Sequence, residues 1–379
     1  MRIAFISLMA NAPWGGSEVL WSNTAAYALD QGHEVFFSAY EWPSPHTNIN
    51  KLIQKGAVSY FRPHSTLKTR LINKLYKAAK VSSPEVAAIK KFKPDVILFN
   101  QGGAYTLRYW PELLAFAKEN AIPYHLICHS YNEAVTFAEK QQKFIVSIFE
   151  GAVKVFTVSL QQKAIIERQL AHSITNNIQV ANLLNLPAEY PISFPAATLD
   201  VPQLACIGSL TILAKGQDIL FEALSSEKWK GRPWQLNLFG TGPDLDYLKR
   251  LALFYGIDDK VRFRGHVANM AAIWAECHLL IVPSRIDSGP MVVAEAMICG
   301  RPVVSTRVGI VPEWITPGDT GYIAEGTTSH ALDQILEVAW NDRYNWQKIG
   351  QQASIFGADK MTASPIELFL DQLLTTEKL

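Results

Sequence analysis

The sequence predicts an α/β fold built as two doubly wound parallel-sheet domains in tandem. Three observations carry that reading. Short, β-prone apolar runs alternate with helical segments along nearly the whole chain, the rhythm of parallel sheets covered on both faces. The 379 residues are 49% hydrophobic, enough for two cores of ordinary size. Near residues 185–203, "NLPAEYPISFPAATLDVP" is rich in Pro and lacks periodicity, so it reads as a linker.

Taken in order, "RIAFISL" is the first strand. Its lone Arg and apolar run raise the question of a signal peptide, but the run is short and passes directly into a Gly-Gly turn and a helical pattern, which suits a buried strand better. "SEVLWSNTAAYALDQGH" is a helix ended by Gly32, and "EVFFSAY" is the next strand. The rhythm returns in "PDVILFN", "PYHLICH" and "VKVFTVS", then beyond the linker in "QLACIGSL", "WQLNLFG", "KVRFRGH", "HLLIVPS" and "RPVVSTR". The expected domains are 1–190 and 200–360.

Composition excludes some classes. A net charge of +1 gives no overall attraction to nucleic acid, so no nucleic-acid partner is expected. Charged residues are 18%, with 10 Trp and 13 Tyr; this is below the roughly 25% of an average domain and fits some apolar surface facing a partner or a bilayer. Cys128, Cys206, Cys277 and Cys299 form no C-x-x-C pair and each lies in an apolar run, as buried thiols in a reducing compartment do, with no zinc and no disulfide expected. No apolar stretch approaches the roughly 20 residues that span a bilayer. A cytoplasmic protein is expected.

Ligands of doubly wound sheets bind beyond the carboxyl ends of the strands. In the first domain those positions are Gly15, Gly16 and Ser17, then Asn100 to Gly103, then His129 to Glu133; Asn100, Gln101, Tyr131 and Asn132 are acceptor-side candidates. In the second they are Ser209 to Gly216, Gly240 to Pro243, Gly265 to Val267, and "SRIDSGPMVVAEAMICGRPVV" at 284–304. Two such sets facing each other would line a cleft.

The last stretch carries two acids eight positions apart, Asp287 and Glu295. Pro290 suits the first position of a helix, which places Asp287 to Gly289 in the loop ahead of it. The helix start, with its unpaired amides and positive dipole end, favours a diphosphate. The amides of Gly289, Met291 and Val292 are the local donors, since Pro290 has none. Glu295, a turn inside, could accept both vicinal hydroxyls of a ribose. Asp287 would then lie beyond the phosphates, near the hydroxyls of a sugar. The alternative is an exposed loop acid and a solvated helix acid.

The order and spacing of these motifs resemble the two-domain GT-B glycosyltransferases, in particular the large retaining group called family 4 or group 1. "IGSLTILAKGQDILFEAL", "LFGTGPDLDYLKRLA", "VRFRGHV", "CHLLIVPSRIDSGPMVVAEAMICGRPVVSTRVGIVPEWI" and "GDTGYIAE" follow that group across nearly all of the second domain. "WGGSEV", "ICHS", "FTVS" and "VANLLNLP" match more loosely in the first. The resemblance implies two Rossmann-like domains, with a C-terminal helix of about 362–379, apolar on one face, returning to the first.

It also implies roles. The group's acid-x7-acid motif falls on Asp287 and Glu295, with Asp where Glu is commoner. Lys215 with Gly216 matches a Lys-Gly motif whose lysine contacts the donor diphosphate; read alone, it is also a solvated turn lysine. The arginine usual six positions earlier is replaced by Ser209, which leaves Lys215, helix-end amides and Arg285 to neutralise charge. Gly240 and Gly242 lie in the group's glycine loop, and His266 and Val267 where backbone groups hold the base. Gly15 and Gly16 let the first loop approach donor or acceptor, with Ser17 as a helix cap. His129 falls where a functional histidine is placed, and would hydrogen-bond the sugar or the leaving phosphate. Asp244 and Asp246 imitate a D-x-D metal motif but read better as capping acids; no metal or other cofactor is expected.

The chemistry so implied is transfer of a sugar, with retention, from a nucleotide diphosphate sugar to a hydroxyl of a glycan or lipid-linked acceptor. A front-face attack would let the leaving phosphate itself take the acceptor's proton, so the site must first stabilise an anion. Residues 64–93 concentrate lysines on a segment with apolar residues at helical spacing, which either lies on an anionic membrane surface or buries its apolar face in the first domain. Two other functions compete: a silent sugar-nucleotide-binding partner subunit, and an enzyme that epimerises or hydrolyses its nucleotide sugar.

Overall fold

The computed structural model describes residues 1–10, 12–64, 82–195, 199–360 and 364–377. The chain divides into two compact units, Met1–Leu183 with Ala363–Leu379, and Leu184–Thr362.

Among the described residues, unit 1 is a seven-stranded parallel sheet. Its strands are β1 (Arg2–Ser7), β2 (Glu34–Tyr40), β3 (Val58–Arg62), β4 (Val96–Gly103), β5 (Tyr124–Ser130), β6 (Val155–Thr157) and β7 (Asn177–Gln179), in the order β3-β2-β1-β4-β5-β6-β7. Side chains alternate between two cores: Ala4 and Ile6 of β1 join one cluster, Ile3 and Phe5 the other. That period of two is what parallel strands buried on both faces require. The strand order reverses between β1 and β4, so the loops after these strands diverge and leave a crevice at their carboxyl ends.

Unit 2 repeats the plan. Its strands β8 (Gln203–Ile207), β9 (Gln235–Phe239), β10 (Val261–Gly265), β11 (Leu279–Val282), β12 (Val303–Thr306) and β13 (Tyr322–Ala324) run in the order β10-β9-β8-β11-β12-β13. The reversal point here lies between β8 and β11.

The C-terminal helix Pro365–Leu374 belongs to unit 1. Ser364 caps it by accepting the Glu367 N–H, and Phe369, Leu370 and Leu373 enter the core that Ile3 and Phe5 share. Its last carbonyls are held from the sheet: Lys154 donates to the Gln372 carbonyl at 3.0 Å, and His125 Nε2 lies 3.1 Å from that of Leu373. Cations and donors at a helix C-terminus satisfy groups the helix cannot.

The Pro-rich stretch read as a linker is fastened to unit 2. The buried Arg301 guanidinium donates to the carbonyls of Ile192 and Ser193, at 3.0 and 2.6 Å, and the Ile192 N–H reaches the Cys299 carbonyl. All four cysteines are free and buried. Most of the basic stretch at 64–93 lies outside the described residues. Its described end forms the helix Pro84–Phe92, with Val86, Ile89 and Phe92 buried and Lys90 and Lys91 exposed. Among the described residues, no helix is long and apolar enough to cross a membrane.

Candidate functional site

In unit 2 the loops after β8, β9 and β11 meet at the sheet's carboxyl edge. The first passes through the short helix Ile212–Lys215 to Gly216, whose φ is +64° and where a Cβ would lie 2.1 Å from the Pro283 carbonyl oxygen. Only glycine allows this loop to rest on the end of β11. Gly240 has the same function after β9: its φ is +133°, and a Cβ would meet the Gly208 carbonyl at 1.9 Å. The two loops then bond directly, the Leu210 N–H to the Thr241 carbonyl at 3.0 Å and the Asp244 N–H to that of Leu210 at 3.1 Å.

This packing brings Lys215, after β8, to Asp287, after β11, and their side chains form an ion pair at 2.5 Å. The other oxygen of Asp287 accepts the Gly289 N–H at 3.3 Å. The helix Met291–Ile298 follows, with Pro290 in the capping position just before it. Glu295 is only 5% exposed and accepts the Asn185 N–H at 2.8 Å. Burial pushes its carboxyl up to about 7, against the partial opposition of that hydrogen bond. A carboxyl in such a place gains from any further donor that a ligand brings.

In unit 1 the corresponding edge holds a buried polar chain. Glu18, 4% exposed in the first turn of the helix Gly16–Asp30, receives Ser7 Oγ at 3.0 Å and Asn100 Nδ2 at 3.0 Å on one oxygen, and Trp21 Nε1 at 2.9 Å on the other. Asn100 Oδ1 in turn lies 2.8 Å from His129 Nε2. Burial raises Glu18 to about 7, while these hydrogen bonds pull it back. Burial also lowers His129 to about 4, so its ring is neutral at physiological pH. Beside Glu18, Trp14 stacks on His46 with centroids 3.7 Å apart, and with Tyr40 and Trp42 they line a small pocket.

Comparison with known proteins bears on both units. Residues 201–342 match the family described as Glycosyl transferases group 1. Over those residues unit 2 is similar to the group 1 glycosyltransferases. The N-acetyl-alpha-D-glucosaminyl L-malate synthase of Bacillus anthracis is 36% identical over 120 residues, 31% of this chain and 31% of that protein. The GDP-mannose-dependent alpha-(1-6)-phosphatidylinositol monomannoside mannosyltransferase of Mycolicibacterium smegmatis is 33% identical over 142 residues, 35% of this chain and 37% of its own. The chain thus spans about a third of the length of these curated relatives. Among solved structures, Anabaena HepE in complex with UDP superposes with a TM-score of 0.75 at 19% identity, covering 99% of each chain. Sucrose-phosphate synthase from Thermosynechococcus elongatus gives 0.73 at 17% identity and 98% of each. The fold is GT-B.

Within unit 2 the expected residues fall out unevenly. Lys215, Gly216, Asp287, Gly289, Met291, Val292 and Glu295 all belong to the edge where β8 and β11 diverge. Arg285 follows β11 too, but its guanidinium is engaged by both oxygens of Asp218, at 2.6 and 2.8 Å, and by the Ile212 carbonyl; it braces the Lys215 loop. Ser209 is exposed and its carbonyl accepts Gln217 Nε2. The backbones that Gly240 and Gly242 approach are those of Gly208 and Leu210. His266 is exposed and Val267 half-buried after β10. Asp244 stands at the start of the helix Leu245–Tyr255 without capping it; its carboxylate accepts the Ile212 N–H at 2.8 Å, tying two loops together. Among the described residues no cluster of three metal-ligating side chains occurs.

Unit 1 revises three local expectations. The helix there starts at Gly16 with Gly15 before it, so Ser17 is not the cap; its hydroxyl faces Met9 Sδ and Glu18. Asn100 and Gln101 are buried and already engaged, the latter accepting the Leu107 N–H at 2.8 Å. Tyr131 is buried, and Asn132, exposed, closes a turn onto the Ala134 N–H. Glu18 and Trp14 escaped the sequence reading. An acid in a first helical turn reads as a dipole partner, and the one signal against that is an indole donor three positions on.

Proposed function

We propose that the chain is a retaining glycosyltransferase that moves a sugar from a nucleotide diphosphate sugar to an acceptor hydroxyl. The observation that carries this reading is the convergence of Lys215, Asp287, the start of the helix Met291–Ile298 and Glu295 at the reversal point of unit 2, which is similar to group 1. An ammonium and helix-end amides suit a diphosphate. The buried Glu295 suits a pair of ribose hydroxyls, and Asp287 the hydroxyls of the sugar. On departure of the nucleotide, Lys215 stabilises the charge that develops on the phosphate, with no metal ion required. HepE was solved with UDP, and the mycobacterial relative is by name GDP-mannose-dependent; what these share is the diphosphate, not the base.

Within unit 1 the groups assigned to substrate contact are His129, for a sugar or a phosphate, and the Gly15-Gly16 loop. Its aromatic pocket, with Trp14, Tyr40 and Trp42, offers ring faces that suit the apolar side of a glycan or lipid-linked acceptor. Membrane contact through 64–93 and assembly of glycans or glycolipids at the inner membrane face belong to the same reading.

Thermal stabilisation by a panel of nucleoside diphosphates identifies the base. Incubation with the matching nucleotide sugars and candidate acceptors, with and without a chelator, then tests the reaction. Transfer with retained anomeric configuration, insensitive to chelation, is expected. A free or epimerised sugar, or binding without any product, would replace this reading.

A further inference from the structure

While Glu18 is ionised, the chain Glu18–Asn100–His129 has a polarity that one set of proton positions satisfies; burial holds the Glu18 carboxyl up at about 7, so this holds above that pH. The carboxyl of Glu18 meets donors on every side: the Ser7 hydroxyl, the Asn100 amide, and the Trp21 indole N–H, which cannot act as an acceptor. Asn100 must therefore turn its NH2 toward Glu18, which leaves its carbonyl oxygen facing His129 Nε2 at 2.8 Å. That nitrogen must carry the proton. In a neutral imidazole the other nitrogen, Nδ1, is then a lone-pair acceptor.

We propose that Glu18 is a positioning residue: acting through Asn100, it holds His129 as the Nε2–H tautomer, so that unit 1 offers a substrate hydroxyl an acceptor and not a donor. The inference rests on the reading of His129 as a substrate contact. It narrows the partner at this point to a hydroxyl, which can donate, and excludes a bare phosphate oxygen, which cannot. Glu18 touches no substrate. Arg62, which donates to the Ser7 carbonyl at 2.9 Å, is neutralised by Glu85.

The polarity can be reversed by one substitution. In Glu18→Gln the new carbonyl can satisfy Trp21 only if the new NH2 points at Asn100. Asn100 must then flip, and its NH2 requires a lone pair on Nε2, which drives the proton to Nδ1. Glu18→Asp, which keeps an acceptor-only group, retains the original tautomer.

Nitrogen-15 spectra of the histidine-labelled full chain, with His129 assigned by its loss in His129→Gln, read the tautomer without reference to activity. At about pH 8.5, where Glu18 is ionised, the wild type is expected as Nε2–H, and the tautomer ratio should invert by about tenfold or more in Glu18→Gln, since an unrelieved buried donor–donor contact outweighs a typical hydrogen bond. An Nδ1–H wild type overturns the proposal before any variant is made, so a variant that fails to fold does not protect it. An unchanged ratio in a folded Glu18→Gln also overturns it. Turnover is measured separately. Inversion with at least about a tenfold fall in kcat supports both the relay and the role of His129. Inversion with unaltered turnover upholds the relay and removes His129 from the proposed function.

Discussion

Asp287 and Lys215 form an ion pair, and this changes what their substitution should do. A diphosphate must take Lys215 from Asp287 before the lysine can bind it. Asp287→Asn removes that competition. Binding of a bare nucleoside diphosphate should then be unchanged or tighter, by up to about fivefold if the pair contributes about 1 kcal/mol, while transfer slows by at least about tenfold because the sugar has lost its anchor. Calorimetric titration beside single-turnover rates checks both. Weaker binding of the bare diphosphate would place Asp287 at the phosphates. The second acid makes a prediction about pH. Glu295 has its pKa raised in the folded state to about 7 from an ordinary 4.5, so the folded protein holds a proton that the unfolded chain has released. The stability contributed by that protonation is complete below the ordinary carboxylate range and is lost as pH rises through about 7. Glu295→Gln lacks this dependence. Thermal melts between about pH 5 and pH 8 should therefore show the variant gaining on the wild type as pH rises, by on the order of 2 kcal/mol. A constant difference would mean that Glu295 is ionised throughout. The acid pair was legible because its spacing around Gly289 and Pro290 announces a loop and a helix start. Neither the Lys215–Asp287 pair nor the capture of Arg285 by Asp218 could be read that way, since each joins residues about seventy positions apart.

The elements that build the site depend on loops with no room for a side chain. Gly240→Ala places a methyl group against the Gly208 carbonyl at a φ of +133°, a clash with backbone in a conformation that L-residues avoid. We expect a loss of more than about 2 kcal/mol. Gly318→Ala is the control: its φ is +81° with nothing within 4 Å of the added carbon, so strain alone should cost about 1–2 kcal/mol. Urea melts of the two variants separate close approach from backbone strain; equal losses would mean that the loops after β8 and β9 do not touch. Strands inside a sheet were the most readable. β2, β4 and β5 have neighbours on both sides and apolar side chains on both faces, which concentrates the signal. Of the four edge strands, β10 was read as a strand, while β3, β7 and β13 carried less signal: β7 and β13 are three residues long, and β3 exposes Val58. Edge strands need fewer apolar residues, so a sequence marks them weakly.

At the scale of the molecule, the chain closes unit 1 with its own last helix. Phe369, 1% exposed, packs edge-on against Phe156 at 4.9 Å, in the core beneath β1. Phe369→Ala should cost about 3–5 kcal/mol, and hydrogen exchange should show the lost protection in β5, β6 and the helix Gly16–Asp30, with unit 2 unaffected. Loss spread over both units would contradict the division of the chain at Leu183. The two-unit plan was legible because each unit repeats one strand order from the same alternation. The fastening of 184–195 to unit 2 was not, because Arg301 binds that segment through carbonyl groups, which every residue type supplies.

The proposed nucleotide site of unit 2 stands on Glu295. Calorimetric titration of Glu295→Gln with the diphosphate that best stabilises the wild type, at a pH above about 7 where the carboxylate is ionised, is the most direct test. Each charge-assisted bond to a ribose hydroxyl contributes about 1.5–3 kcal/mol, so affinity should fall at least about tenfold in a variant whose melt shows it folded. Unchanged affinity, or a loss matched by Asp287→Asn, would contradict the assignment of the two acids and the nucleotide site built on it.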